Sequence, residues 1–501
     1  MYIATLSDCC VSVDCRGCLL EEMSSIYQPV ERNDHSTVQV GDYLYMWGGD
    51  QPGLPKVHNN EKKRSMCSVV EVCHLPTGEW VQKPTTGDPP LGVGGYAAAV
   101  IRNEIFFFGG YCGHLGCYHN SLYSFNVDTF NWKELSPTTS HHGPMMKSFS
   151  RMIAIKVNGE DYLAVIGGRG PSSMNTPPQP GAQYSGAVFQ CCNEVHMYRL
   201  KTGEWTSPTV TGHRPPPINS FTLISITNTT AILFGGYTGS DGWSNDVYVF
   251  EFTDTSVKCT KYSNPRGSVW PEEISRHSSV LINCSSGPHL LVVGGDGTND
   301  CWLLHINKME WKELTNIPDS VTDRDYHSLS VWNETQTTHW IIEFGGERDD
   351  GSSISDTRFI EMISSTGDLV VQSVLDINEY QKRRVLEGLA KAHIKDTSTA
   401  SDKDILDKVP QNGDLFRLFK SSAAHYMIIG TALDVQVNDL LPTPGAATGN
   451  LILVFQRWMD SNKGVTWRKV LQVCDDYPDQ LGRVKAEVEG FLSSDRARDS
   501  Y

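Results

Sequence analysis

The strongest constraint in this chain is a motif that occurs six times. A short apolar run closes on two glycines in YLYMWGG, IFFFGG, YLAVIGG, AILFGG, LLVVGG and WIIEFGG. The pairs are Gly48-Gly49, Gly109-Gly110, Gly167-Gly168, Gly235-Gly236, Gly294-Gly295 and Gly345-Gly346, spaced 61, 58, 68, 59 and 51 residues apart. Apolar runs of this length, rich in aromatic and β-branched residues and stopped by glycine, read as buried strands. Paired glycines permit φ > 0 and close backbone approach, as needed where strand ends crowd around an axis. In four repeats the next strand leads, ten residues from its start, to a tryptophan: Trp80, Trp132, Trp205 and Trp311. Turn signals in LPTGEW, NVDTFNW and LKTGEW make each of these a hairpin. Val257 takes the tryptophan position in the fourth repeat, and the sixth has lost it. Four strands per unit and six units predict a six-bladed all-β propeller, whose radial packing removes long sheet edges.

Two further features accompany the diglycines. The strand before them often opens with His-Ser, at His35-Ser36, His277-Ser278 and His327-Ser328, and twice an arginine stands three residues ahead of the histidine, at Arg32 and Arg324. Diglycine, spaced tryptophan and Arg-x-x-His-Ser together resemble the kelch repeat. The resemblance covers about residues 30–375 and implies a kelch β-propeller, here bounded as 30–376 after an N-terminal segment at 1–29. The period exceeds the ~50 residues usual for such repeats, and the excess falls in loops.

In an up-and-down blade, the connection after the second strand and the connection between blades emerge on one face. The long stretches are all of these two kinds: 50–66, 169–193, 137–150, 208–220 and 264–278. Long loops gathered on one side of a rigid scaffold carry function. That face is therefore expected to bind a protein partner or peptide, with Tyr111, Arg169, Tyr237, Trp243, Arg276 and Arg324 as contacts, since arginine and aromatic side chains anchor interfaces. The competing reading is structural: Arg276 and Arg324 ion-pair between blades and Trp243 packs in its own loop.

After Val374 the pattern changes. Residues 377–410 are highly charged and read as a linker, and from Leu415 a 3.6-residue period takes over. Leu451, Val454, Phe455 and Trp458 share one face, as do Trp467, Val470, Leu471 and Cys474, and Leu481, Val484, Val488 and Phe491. Thr466 stands where an N-cap would start the Trp467 helix. The segments LFRLFKSSAAHYMIIGTALDVQVNDLL, NLILVFQRWMD and VTWRKVLQVC resemble the death domain over residues 411–495, leaving a tail at 496–501. One departure is His425-Tyr426, where many members of that family have a tryptophan. The resemblance implies an all-α death-fold bundle that makes homotypic contacts with other death domains or with itself. Residues 411–501 hold ten basic and eleven acidic side chains, and Lys463, Arg468 and Lys469 opposite Asp475 and Asp476 are the candidate contacts for charge-paired association.

Composition bounds the rest. The net charge of −16, without a Lys/Arg cluster, speaks against nucleic acid and anionic membranes. No apolar run reaches the length of a membrane span. The N-terminus lacks the basic and apolar regions of a secretory signal, so the 14 cysteines read as thiols of a cytoplasmic protein. Phosphate loops, HExxH and Gly-x-Ser-x-Gly are missing, and GVGG at 92–95 opens no helix. Cys112, His114, Cys117 and His119 are the nearest approach to a metal cluster, at a spacing that matches no established finger. The expectation is a non-enzymatic signalling adaptor without cofactor or metal. The alternative is a ubiquitin-ligase substrate receptor reading a peptide on the propeller face, a role many kelch proteins have. Against it, the segment ahead of blade one is too short for the BTB domain such adaptors often carry.

Overall fold

A computed structural model describes residues 27–501 apart from 172–175, 240–241, 266, 297, 349, 366–367, 398–404, 441–445, 462–463, 493–496 and 498–501. The chain divides into two compact units, Met1–Val385 and Leu386–Tyr501.

In the first unit the six repeats form six antiparallel blades. Blade one is Ser36–Val40, Tyr43–Trp47, Val69–His74 and Glu79–Pro84, paired in that order. The other inner strands are Ala97–Ile101, Arg151–Val157, Thr222–Ser225, Ser278–Cys284 and Ser328–Asn333. Each diglycine run is a second strand, buried on both faces because neighbouring blades cover it. Trp80, Trp132 and Trp311 are buried in fourth strands and Val257 is wholly enclosed at the same place in blade four, while Trp205 is half-buried. Blade four departs from the four-strand expectation. Thr209–Gly212, part of the connection from blade three, pairs parallel with its outer strand Ser256–Tyr262. The added strand covers a row of backbone groups that would otherwise be an open edge.

The diglycine and the His-Ser start form one lock between blades. Gly235 has φ +65°, and a Cβ placed there would lie 2.5 Å from Cε1 of His277, which opens the next blade. The imidazole of His277 in turn lies 3.1 Å from the Thr222 hydroxyl of blade four. At the junction of blades six and one, His35 Nε2 lies 2.9 Å from the Ser328 hydroxyl in the same way.

Among the described residues, no strand is exchanged to close the ring. The Gly346 N–H donates to the Arg32 carbonyl (2.9 Å), and the hydroxyls of Thr37 and Ser330 lie 2.8 Å apart. The remainder of the closure corrects the expected linker. A helix, Ile377–Thr397, follows blade six directly, and its first turns grip the Leu75–Gly78 hairpin of blade one. Tyr380 Oη donates to the Leu75 carbonyl (2.7 Å), Gln381 Nε2 to Gly78 (2.8 Å) and Arg384 Nε to Pro76 (2.8 Å). The Tyr380 ring stacks parallel on Phe359 of blade six at 3.8 Å. The charged composition hid a short stretch in which Ile377 and Tyr380 are buried in the core shared by blades one and six.

The second unit is an all-α bundle: Asn412–Phe419, a 3₁₀ turn Lys420–His425, Tyr426–Ala432, Ala447–Ser461, Trp467–Asp476 and Pro478–Leu492. Leu415, Leu451, Trp458, Trp467, Val484 and Val488 are enclosed in one core. Thr466 caps the Trp467 helix by accepting from the Lys469 N–H. Leu471 is only half-buried, and Val473 takes its place in the core. Gly430 is needed where it stands, because a Cβ there would meet Val437 Cγ1 at 2.3 Å. Ile405 and Leu406 join the same core, so the bundle begins ahead of residue 411 and both ends of the expected linker belong to a domain. Among the described residues, no helix is long and apolar enough to cross a membrane.

Candidate functional site

One position in each blade sets the geometry of the propeller mouth. Asp34, Gly95, Phe149, Ser220, Arg276 and Tyr326, each just ahead of an inner strand, all have φ between 52° and 61°. Five of these residues are not glycine, and side chains adopt that conformation at a cost. The return is a belt of backbone hydrogen bonds passing from blade to blade. Gly95 donates to Asp34 (2.9 Å), Phe149 to Gly95 (2.7 Å), Ser220 to Phe149 (3.2 Å), Arg276 to Ser220 (2.9 Å) and Tyr326 to Arg276 (3.0 Å). The belt aims the Asp34, Phe149, Arg276 and Tyr326 side chains at the central channel.

A second ring surrounds the first. The residue after each diglycine is Asp50, Tyr111, Arg169, Tyr237, Asp296 and Glu347, and each pairs by a single bridge with the incoming connection of its own blade, at Asn33, Gly94, Ser148, Asn219, Ser275 and Asp325. Both kinds of connection thus meet on one face, as chain direction requires.

Four of the six expected contacts, Arg169, Tyr237, Trp243 and Arg276, line one cavity on this face with Phe149, Phe189, Asp296 and Tyr326. Tyr237 and Trp243 are exposed. The Arg169 guanidinium lies 5.4 Å from the centre of the Phe189 ring. Arg276 lies 4.8 Å from the Tyr326 ring and 3.2 and 3.3 Å from Asp296 and Asp325, so it pairs between blades and still presents an open side to the cavity. Tyr111 is half-buried, donates from its hydroxyl to Asp34 and packs on Phe149; it supports the wall.

Arg324 is a correction. It is buried, lies 3.5 Å from the enclosed Glu343 and 3.0 Å from Asp356, and donates to the Gly345 carbonyl (3.1 Å). Arg32 does the same for Gly48 (3.1 Å). The arginine of Arg-x-x-His-Ser therefore caps the diglycine of its own blade and meets no partner. Loops 50–66 and 169–193 are also more than loops. The first contains the helix Glu61–Cys67, capped by Asn60, and the second a three-stranded sheet of Arg169–Pro171, Tyr184–Ser185 and Phe189–Cys192.

The mouth is electrically lopsided. Asp34, Asp50, Asp296, Asp325 and Glu347 cluster where blades five, six and one meet. Burial raises the Asp34 carboxyl to about 7, against the Tyr111 hydrogen bond and with the charges of Asp50, Glu347 and Asp325. Burial also raises Asp325 to about 6, opposed by Arg276 and assisted by Glu347 and Asp296. Blades two to four present aromatic rings and Arg169 instead. The acidic members, with Phe149 and Tyr326, escaped sequence reasoning, although their signal was available in register: the residue after each diglycine, and the second residue ahead of each inner strand.

In the bundle, Lys463 lies outside the described residues. Arg468 pairs with Asp407 (2.9 Å) and Asp475 with Lys485 (2.6 Å), both within the bundle and both at its surface. Lys469 is half-buried and Asp476 exposed. Met427, Ile452 and Leu453 are exposed apolar side chains of the same unit. As for metal ligands, the structure brings Cys112, Cys117 and His119 together and leaves His114 exposed outside the group.

A six-bladed propeller with a lopsided mouth is the class of protein this site defines. The model of the KLHDC2/KLHL20/DRC7 Kelch-repeats domain matches residues 23–177 and 181–367. The chain belongs to this kelch-repeat family. It is similar to human Kelch domain-containing protein 1, at 23% identity over 331 residues, 64% of this chain and 76% of that protein. It is also similar to Drosophila melanogaster Host cell factor, at 24% over 315 residues, 58% of this chain and 19% of that one. The solved structure of YjhT covers 69% of this chain and 99% of its own at 16% identity, with a TM-score of 0.46. The family match lies in the propeller, which is of the kelch type.

Proposed function

We propose that the chain is a non-enzymatic cytoplasmic adaptor whose propeller mouth captures an extended, basic segment of a partner protein. The observation that carries this reading is the division of the mouth. Exposed Tyr237 and Trp243 with Arg169 offer flat anchors on one side, and on the other the acidic cluster of Asp34, Asp50, Asp296, Asp325 and Glu347, partly paired with Arg276 and Lys56, offers a counter-charge. Rigid aromatic anchors give affinity, and charge complementarity gives orientation and rate.

Selection of displayed random peptides on the full chain tests it. Enriched peptides are expected to carry Lys or Arg beside apolar residues. Trp243→Ala and Tyr237→Ala should each weaken the best of them more than tenfold, about 2 kcal/mol as for a hot spot, without changing Tm. Capture should strengthen as pH rises from below 6 to above 7, because Asp325 and Asp34 ionise over that range and add negative charge. Peptides indifferent to both substitutions would place binding elsewhere.

The bundle supplies the second half of the proposal. By its resemblance to the death domain it makes homotypic contacts in signal transduction. Support comes from its surface ion pairs, Arg468–Asp407 and Asp475–Lys485, which contribute little while intramolecular and are free to exchange for partners on another copy, and from the exposed Met427, Ile452 and Leu453. Residues 386–501 are expected to self-associate in sedimentation velocity, and less so as salt is raised. A monomer at high concentration that also captures no death domain would remove this half.

A further inference from the structure

Four side chains converge at the junction of the first two blades without serving the mouth: His58, Cys112, Cys117 and His119. Each offers one ligand atom, and all four atoms lie within 4.8 Å of one another. We infer that they form a structural zinc site of the Cys₂His₂ type that staples the blade-one loop to the blade-two loop.

The geometry fits a tetrahedral ion. With zinc–sulfur bonds of about 2.3 Å and zinc–nitrogen bonds of about 2.0 Å, a sulfur and a nitrogen ligand stand about 3.5 Å apart. Here Cys117 Sγ lies 3.2 Å from His58 Nδ1 and 3.7 Å from His119 Nε2, and Cys112 Sγ lies 4.0 Å from His58 Nδ1. The outer atoms fit as well. His119 Nδ1 faces the Thr138 hydroxyl at 3.4 Å, which can accept from Nδ1–H when Nε2 binds a metal, as outer partners of metal-bound histidines do. Lys63 is buried and reaches the backbone carbonyls of both loops, Val57 (3.0 Å) and Cys112. Two thiolates cancel the charge of a zinc ion, so the ammonium of Lys63 would border a neutral centre. Cys112 and His119 are buried while His58 is exposed, which leaves the ion a path in.

The sequence spacing misled here. It placed His114 among the ligands, yet that residue sits at the exposed tip of a tight turn in which Cys112 N–H donates to Cys117 O and Cys117 N–H to His114 O. His58 comes from another blade. Only the fold could supply it.

The test uses the full chain with Cys9, Cys10, Cys15 and Cys18 changed to Ser, so that N-terminal thiols cannot hold metal. Purified under reducing conditions, it is expected to carry a single zinc ion per chain by mass spectrometry. After exchange for cobalt it should show the thiolate charge-transfer band and the intense visible bands of a tetrahedral ion. His58→Ala and Cys117→Ser should each lower cobalt affinity more than tenfold while circular dichroism stays unchanged, and His114→Ala should bind as the parent does. Failure of the parent to hold zinc or take up cobalt would overturn the proposal, as would full affinity in His58→Ala. A Cys112–Cys117 disulfide in place of metal, seen as the loss of two hydrogens in the intact mass, would overturn it too.

Discussion

Replacing Glu194 with alanine is expected to cost about 3–5 kcal/mol of folding stability, the usual price of leaving a buried charge without its partner. Glu194 is enclosed beside blade three. Its Oε2 lies 2.9 Å from Lys147 Nζ and accepts from the Met145 N–H at 3.1 Å, while Oε1 accepts from the Tyr184 hydroxyl at 2.8 Å. One carboxylate thus joins the connection from blade two to the small sheet of the 169–193 segment. Burial alone would raise its pKa, but the charges of Lys147 and His196 and the hydrogen bonds hold it at about 2. An unfolded glutamate titrates near ~4.3, so this stabilisation is fully present above that value and is lost as pH falls toward 2. Urea unfolding should show the loss in Glu194→Ala and a flatter acid limb between those two pH values. Lys147→Met with Glu194→Leu should recover most of the stability, since an apolar pair of similar size replaces a buried ion pair at little cost. If the double variant were no better than the single, the pairing would not be the source of the effect.

Tyr380→Ala is expected to be as damaging, by about 3–5 kcal/mol for a fully buried aromatic, and its consequence is local. The ring closes through the grip of Tyr380, Gln381 and Arg384 on the Leu75–Gly78 hairpin, so hydrogen exchange should accelerate first in blades one and six. A chain ended at residue 376 should behave alike, and one ended at 390 should behave as the intact propeller. Uniform acceleration over all six blades would mean that the grip has no special role in closure.

How much of this could be read from residues follows from what each signal encodes. The diglycine strands and the tryptophan hairpins have local periods, so the blades were legible, as was the bundle with its Trp467 and Trp458 stripes. The mouth was legible in part. Chain direction selects the face, and Arg169, Tyr237, Trp243 and Arg276 follow from residue type. Arg324 misled, because an arginine ahead of His-Ser looks the same whether it caps a diglycine or faces a partner. Contacts between distant segments had no local signature. Tyr380 meets Leu75 only once the ring is closed, His58 meets Cys117 only once blades one and two pack together, and the high charge of residues 377–410 masked the few apolar groups that belong to the two domains.

The central claim is that the mouth of the propeller is where this protein holds a partner segment. Hydrogen–deuterium exchange on the full chain, with and without a saturating peptide selected on it, tests that claim most directly. Protection is expected at the residues after the diglycines and before the inner strands, around Arg169, Tyr237–Trp243, Arg276 and Tyr326, with outer strands such as Glu79–Pro84 unchanged. Protection confined to the outer strands or to the C-terminal bundle, with the mouth unchanged, would contradict it.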